Sequence, residues 1–198
     1  MPAIATTKRS SSVRNAVFLR GNKLVLCSLE LENLESGPYL SWLNDYEVTR
    51  FLETGMFPET QKSLRRYFEK VALSPDNILL AIIDRKTAKH IGNIKLGPIH
   101  LIHRRADLGI LLGDKRFWGK GYGAEAIRLL LDYGFTRLNL HKITLGVYAD
   151  HANAVALYKK MGFKIEGTLK EQLFRDDSFH DKYVMGILAA DFRTQSKP

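Results

Sequence analysis

A chain of 198 residues that is 45% hydrophobic can bury one sizeable core, and its composition is that of an ordinary globular protein. Its longest apolar runs, such as Ile78-Leu79-Leu80-Ala81-Ile82-Ile83, are too short to span a bilayer, and a single cysteine excludes an internal disulfide framework. The formal charge is +9, but Lys8, Arg9, Arg14, Arg20 and Lys23 lie in the first 23 positions with no acid among them, which leaves +4 on the rest.

In chain order, residues 1–17 read as a flexible basic arm, because Thr6, Thr7, Ser10, Ser11 and Ser12 offer nothing to pack. A solvated tail is the simpler reading of that arm; contact with nucleic acid is the other. No apolar core follows the basic start, so no secretory leader is expected and a cytoplasmic location is. Residues 18–198 read as one domain. A first strand is expected over Leu24–Leu29, with Cys27 as a buried structural thiol. Gly37-Pro38 marks a turn before a helix over Tyr39–Asn44. Leu64, Phe68 and Val71 recur at helical spacing over Thr60–Leu73, with Thr60 as the cap. Strands follow over Ile78–Asp84, His90–Leu96 and Ala106–Leu112, then a glycine-rich turn. A helix is expected over Tyr122–Thr136, with Ile127, Leu130, Leu131 and Phe135 on one face and Arg128 and Asp132 on the other. A strand over Lys142–Tyr148 leads to a helix over Asn153–Met161, which Gly162 ends as a left-handed cap. Two strands, Lys164–Leu173 and Lys182–Leu188, close the chain. That order predicts an α/β (α+β) fold with helices packed on a sheet.

The turn Trp118-Gly119-Lys120-Gly121-Tyr122-Gly123 places three glycines between a strand and a helix. A pyrophosphate needs backbone N–H donors at close range. Glycine removes the Cβ that blocks the approach, and the helix start adds free N–H groups and a positive dipole end. A Walker loop fails here, since Gly119-Lys120 is followed by Gly121 and not by Ser or Thr. A dinucleotide fingerprint fails too, since Ala124 stands where its third glycine belongs.

The turn that does fit is Q/R-x-x-G-x-G/A, and on it the chain resembles the GNAT superfamily of N-acetyltransferases. Arg116-Phe117-Trp118-Gly119-Lys120-Gly121 matches the pattern literally. The register starting at Trp118 is preferred, because it puts Ala124-Glu125-Ala126 at the helix start, as in a subgroup reading W-G-K-G-Y/I-G/A-T-E-A. Asn153-Ala154-Val155-Ala156-Leu157-Tyr158-Lys159-Lys160-Met161-Gly162-Phe163 resembles the family's N-x-x-x-x-x-Y-x-x-x-G-F segment. Leu138-Asn139-Leu140-His141-Lys142-Ile143 and Ile102-His103-Arg104-Arg105-Ala106-Asp107 match the subgroup as well. The resemblance covers roughly residues 90–190 well and 18–89 loosely.

The resemblance implies a single domain with a central, mixed, mostly antiparallel sheet of about seven strands flanked by helices. It implies acetyl-CoA as co-substrate and direct attack of a primary amine on the thioester, with no metal; the six histidines show no metal-ligand spacing. The implied cofactor-binding residues are Ile110, Leu111 and Leu112, Trp118 through Ala124, and Asn153. Within that turn Gly119, Lys120, Gly121, Tyr122 and Gly123 meet the pyrophosphate, while a backbone N–H of Ile110–Leu112 polarises the carbonyl. Tyr158 is the implied general acid, a phenol near pKa ~10 able to protonate the leaving thiolate. Asp107, His103, Glu53 and His141 are open as general base, and Lys115, Arg116 and Lys120 as phosphate contacts or solvated charges.

Trp42, Asp45, Arg50, Phe51 and Glu53 are expected on the acceptor side. The subgroup takes a protein N-terminus, an amino sugar (nucleotide-linked in some cases) or a polyamine such as spermidine. A positive surplus suits an anionic acceptor better than a polycation, which puts the first two ahead of spermidine. A non-catalytic acetyl-CoA sensor is the reading from another class. No membrane partner is expected, and a homodimer or larger homo-oligomer is left open.

Overall fold

The computed structural model describes residues 16–31, 34 and 37–195. Its strands are β1 Val17–Arg20, β2 Leu24–Ser28, β3 Ile78–Asp84, β4 His90–Leu96, β5 Arg105–Leu112, β6 Lys142–Tyr148, β7 Lys164–Arg175 and β8 Ser178–Leu188. The helices are α1 Tyr39–Leu43, α2 Tyr46–Thr49, α3 Gln61–Val71, α4 Tyr122–Thr136, α5 Ala152–Lys160 and α6 Ala189–Gln195. The strands form one sheet in the order β1-β2-β3-β4-β5-β6-β8-β7. Every neighbouring pair is antiparallel except β5 and β6, which are parallel.

The run Ile78–Ile83 is apolar at every position because both faces of β3 are covered. Leu80 and Ile82 face a core built by α4, in which Ile127, Leu130, Leu131 and Phe135 are at most 1% exposed. Each such side chain contributes roughly 1.5–3 kcal/mol of transfer free energy. Leu79 and Ala81 face a second core under α1 and α3, with Trp42, Leu43, Leu64 and Phe68. Thr60 caps α3 in a reciprocal box with Ser63, as the Thr60 signal predicts. Gly162 is left-handed (φ +95°), and the Phe163 N–H returns to the Tyr158 carbonyl, so α5 ends in a Schellman turn. Cys27 is buried, and burial pushes its thiol pKa up against the opposing pull of Arg20.

The sheet has one strand more than the seven expected, and the addition is β1. Most of the arm 1–17 lies outside the described residues, but Val17 already pairs with Cys27. The signal was present: Gly21-Asn22 between Val17–Arg20 and Leu24–Ser28 is a hairpin turn sequence. Sequence reading also missed α2 and α6 and stopped the last hairpin short. β7 and β8 continue to a tight turn in which Asp176 and Asp177 both take positive φ (49° and 58°). Aspartate tolerates that conformation, but without glycine the turn is inconspicuous.

Candidate active site

The site begins where the sheet opens. β5 and β6 pair over three residues only, Arg105–Asp107 with Lys142–Thr144. Beyond them Leu108–Leu112 stays on β4 and Leu145–Tyr148 on β8, so the two strands part. The Asp107 carbonyl accepts from the Gly97 N–H on the β4 side at 2.8 Å. Polar groups of successive strand residues point to opposite edges, so Leu108, Ile110 and Leu112 turn theirs toward the gap. The Leu112 carbonyl is taken there by the Trp118 indole N–H at 2.6 Å. Buried backbone groups without partners are costly, so the gap is built to pair with something.

The glycine-rich turn stands at the mouth of this gap. Gly119 (φ +69°) and Gly121 (φ +83°) are left-handed, and Gly121 is the N-cap of α4. Gly123 already lies inside the helix, and a Cβ there would make ordinary contacts at 3.7 Å with Leu157 and 3.9 Å with Ile110. Three braces hold the turn. Trp118 is tied to Leu112; Tyr122 Oη donates to Asp84 Oδ1 at 2.7 Å; Lys23 Nζ donates to the Lys120 carbonyl at 2.9 Å. Burial pushes the Asp84 carboxyl pKa up, but hydrogen bonds from Thr87 and Tyr122 outweigh it and hold the group below its usual range. Glu125 in the first turn of α4 accepts the Lys23 N–H at 2.9 Å and so latches the β1–β2 turn to the helix. Sequence reading found neither Lys23 nor Glu125 as a brace, because their partners lie about a hundred positions away.

The charges flanking the turn divide. Lys115 is paired with Asp45 (2.9 Å) and Glu47 (2.6 Å), and Arg116 with Asp114 (2.6 Å). The Lys120 ammonium has no ion pair among the described residues.

Leu157 of α5 meets Gly123 and Ile110, so α5 borders the gap from the other side. Tyr158, the next residue, packs edge-on against Phe163 with ring centroids 5.9 Å apart. Its hydroxyl has no hydrogen-bond partner among the described residues, and burial pushes its pKa up to about 12. Asn153 is exposed at the start of α5 and makes no hydrogen bond among the described residues.

On the second-core face of the sheet, a cavity of about 670 Å³ reaches the gap through Leu108–Leu111 and Gly146–Tyr148. Phe51 and Glu53 line it; Trp42, Asp45 and Arg50 do not. Trp42 is buried against Gly113, Asp45 holds Lys115, and Arg50 lies 4.7 Å from the Phe51 ring. Of the four candidate bases, Asp107 and Glu53 line the cavity. Asp107 accepts the Thr144 hydroxyl, not Arg104, whose guanidinium binds Asn139. Glu53 is paired with Lys182 at 2.5 Å. His103 stacks on His100 away from the cavity, and the His141 backbone ties Arg104 to Ala189. Tyr158 is not part of the cavity lining.

One wall is braced by a cationic sandwich. The Arg175 guanidinium lies 4.5 Å from the Phe51 ring and 5.0 Å from Tyr148, and is paired with Asp150. That pairing, more than any other interaction, holds the Asp150 carboxyl below its usual range. His151 stacks flat on Phe51 at 3.9 Å, and burial, then Arg50, lowers its pKa.

The opposite wall carries side chains that sequence reading did not single out. Asn93 is 3% exposed and lines the cavity, yet its Nδ2 has no hydrogen-bond partner among the described residues. Tyr39 and Tyr67 stand beside it; burial first, then Tyr67 and Glu59, raises the Tyr39 pKa and keeps the phenol protonated. Ser63, Arg66, Tyr67 and Lys70 line the cavity from successive turns of α3, and Lys95 from β4.

Comparison with known proteins places this geometry. A family model described as "Acetyltransferase (GNAT) domain" matches residues 23–164. The uncharacterised N-acetyltransferase p20 of Bacillus licheniformis is 27% identical over 172 residues, 86% of this chain and 95% of that protein. The spermidine N(1)-acetyltransferase of Escherichia coli K12 is 34% identical over 106 residues, 54% of this chain and 56% of that protein. The crystal structure of spermidine N-acetyltransferase from Vibrio cholerae in complex with CoA and spermine superposes with a TM-score of 0.78 at 30% identity, over 86% of this chain and 98% of that one.

Proposed function

The chain belongs to the GNAT acetyltransferase family and is an acetyl-CoA-dependent N-acetyltransferase, and from that premise we propose how its residues divide the work. The observation that carries the proposal is the gap between β5 and β6, which leaves strand polar groups unpaired beside a left-handed glycine turn. The pantetheine arm of acetyl-CoA is extended and amide-bearing, so the polar groups of Leu108 and Ile110 suit it as an added strand would. Gly119 through Ala124 take the pyrophosphate on the free N–H groups of α4. A pattern that demands glycine first and permits alanine second fits Gly121 (φ +83°) and the roomy Gly123, which favours the register beginning at Trp118.

Tyr158 is proposed to protonate the leaving thiolate. Burial pushes its pKa up to about 12, above the usual phenol value near 10, which makes it a weaker acid than a free tyrosine. The phenol therefore enters the reaction fully protonated and gives up its proton only as negative charge builds on sulfur. Asp107, set where the strands part, is the proposed base, acting on the amine directly or through a water.

Two acceptor readings stand. Spermidine or a related polyamine has the support of the relatives' names and of a neighbour seen with spermine. An amino sugar, nucleotide-linked or free, or a protein N-terminus has the support of the cavity, whose lining carries Arg66, Lys70, Lys95 and Lys182 against Glu53, Glu59 and Asp107. Thiol release from acetyl-CoA across a panel of polyamines, amino sugars and peptides tests both. Tight CoA binding without turnover on any amine would sink the catalytic assignment.

A further inference from the structure

Resting on the acetyl-transfer reading above, we propose that the acceptor is an amine whose scaffold carries an anionic oxygen group, received by Asn93 together with Arg66, Lys70 and Lys95. Asn93 supplies the first observation. His90 Nε2 lies 2.9 Å from the Gly92 carbonyl and 2.8 Å from Asn93 Oδ1. A carbonyl can only accept, so Nε2 carries the hydrogen and the Asn93 atom facing it is the oxygen. The Asn93 amide is thereby oriented, and its Nδ2 is left as a buried donor without a partner, in a residue that lines the cavity. Such a donor costs roughly 1–3 kcal/mol unless something accepts from it. The Tyr39 hydroxyl faces it, and against the larger upward push of burial the Asn93 amide lowers that phenol's pKa as a donor does, but the contact is too loose to satisfy Nδ2 as a hydrogen bond.

Charge supplies the second observation, independently. Among the described residues Arg66, Lys70 and Lys95 have no ion-pair partner, although all three line the cavity. Of the acids in the same lining, Glu53 is paired with Lys182, while Glu59 and Asp107 accept only hydroxyl hydrogens, from Ser63 at 2.6 Å and from Thr144, so three unpaired cations face two unpaired carboxylates among the described residues. What is left over is therefore the Asn93 donor and a surplus of positive charge. A protonated polyamine offers only N–H donors and positive charge, which is the wrong complement on both counts. Carboxylate or phosphate oxygens on the acceptor satisfy both. Asn93 is directly opposite Leu111 in the β4–β5 register, which sets the scaffold oxygen beside the strand that borders the gap.

The test is steady-state thiol release by the full chain with acetyl-CoA and four amines: a neutral amino sugar, the same sugar bearing a phosphate, an α-amino acid, and spermidine. The expected result is a kcat/KM for the phosphorylated sugar or the amino acid at least about tenfold above the neutral sugar, the scale of one charge-assisted hydrogen bond. The better of the two identifies the anion as phosphate or carboxylate. Arg66→Ala with Lys70→Ala should collapse that ratio toward one, and Asn93→Leu, of the same branched shape, should raise KM for the oxygen-bearing acceptor while the thermal midpoint holds or rises. Should Asn93→Leu fail to fold, the surface pair still decides. Equal rates on neutral and anionic sugars, or spermidine preferred and indifferent to the double substitution, overturns the proposal while leaving acetyl transfer intact. No turnover on any amine overturns both.

Discussion

Alanine at Gly121 and alanine at Gly123 should have opposite consequences, although the two residues are two apart in one turn. Gly121 is the N-cap of α4 with φ +83°, and an added Cβ would sit 3.4 Å from Lys23 Nζ, the group that braces the Lys120 carbonyl. Holding an L-residue in the left-handed region costs roughly 1–2 kcal/mol. If the turn relaxes to relieve that strain, the N–H groups at the start of α4 leave their positions, and the loss falls on binding of the cofactor. The corresponding change is about 5- to 30-fold in Kd for CoA, with a matching rise in KM for acetyl-CoA and little change in KM for the amine. Gly123→Ala places its Cβ in ordinary contact with Leu157 and Ile110 and adds helix propensity within α4. It should leave Kd within about twofold and the thermal midpoint unchanged or higher. Calorimetric titration with CoA on both variants, with thermal melts alongside, checks the pair. Equal weakening by the two substitutions, or none by Gly121→Ala, refutes the reasoning and with it the register beginning at Trp118.

Tyr158→Phe keeps the packing on Phe163 and removes the proton; kcat should fall about 100-fold or more with KM for acetyl-CoA held, and full turnover under chemistry-limited conditions would dismiss Tyr158 as the acid. Phe135→Ala empties a site that is 1% exposed and touches Phe192 at 5.3 Å, so urea titration should register a loss of about 3–5 kcal/mol; less than about 1 kcal/mol would mean the core collapses around it. Burial lowers the pKa of His90 against the hydrogen bonds its ring N–H donates to Asn93 Oδ1 and the Gly92 carbonyl, and burial lowers that of His151 too. The unfolded chain therefore takes up protons near pH ~6.5 that the folded chain refuses. That stability is whole above this pH and is lost as pH falls toward the depressed folded values, so the thermal midpoint should drop between about pH 7 and 5. His90→Gln combined with His151→Gln should flatten the slope, whereas a midpoint that rises on acidification contradicts the assignment.

Much of the scaffold was legible in the residues because it is decided within a few positions of chain. Ile78–Asp84, His90–Leu96, Tyr122–Thr136 and Lys142–Tyr148 have the bounds that periodicity and caps indicate, since apolar spacing, Thr60 and Gly162 act on their own neighbours. The glycine turn was legible for the same reason: left-handed backbone at Gly119 and Gly121 is a local demand. β1 was marked only by the Gly21-Asn22 turn, because the four residues Val17–Arg20 hold as a strand only once β2 gives their backbone a partner. Lys115 and Arg116 were open as phosphate contacts or solvated charges, and the fold brings Asp45, Glu47 and Asp114 to them.

The tertiary structure alone decided the opening between β5 and β6, since the same eight residues of β5 could have paired along their whole length. It also decided the character of the cavity proposed to take the acceptor. Its lining draws Tyr39, Arg66, Asn93 and Lys182 from four separate elements, and the chain's net charge of +9 says nothing about which charges are neutralised there. Sequence spacing determines what a residue does to its own helix or strand. Which donors and cations are left without partners is a property of long-range pairing, and it is those leftovers that select a ligand.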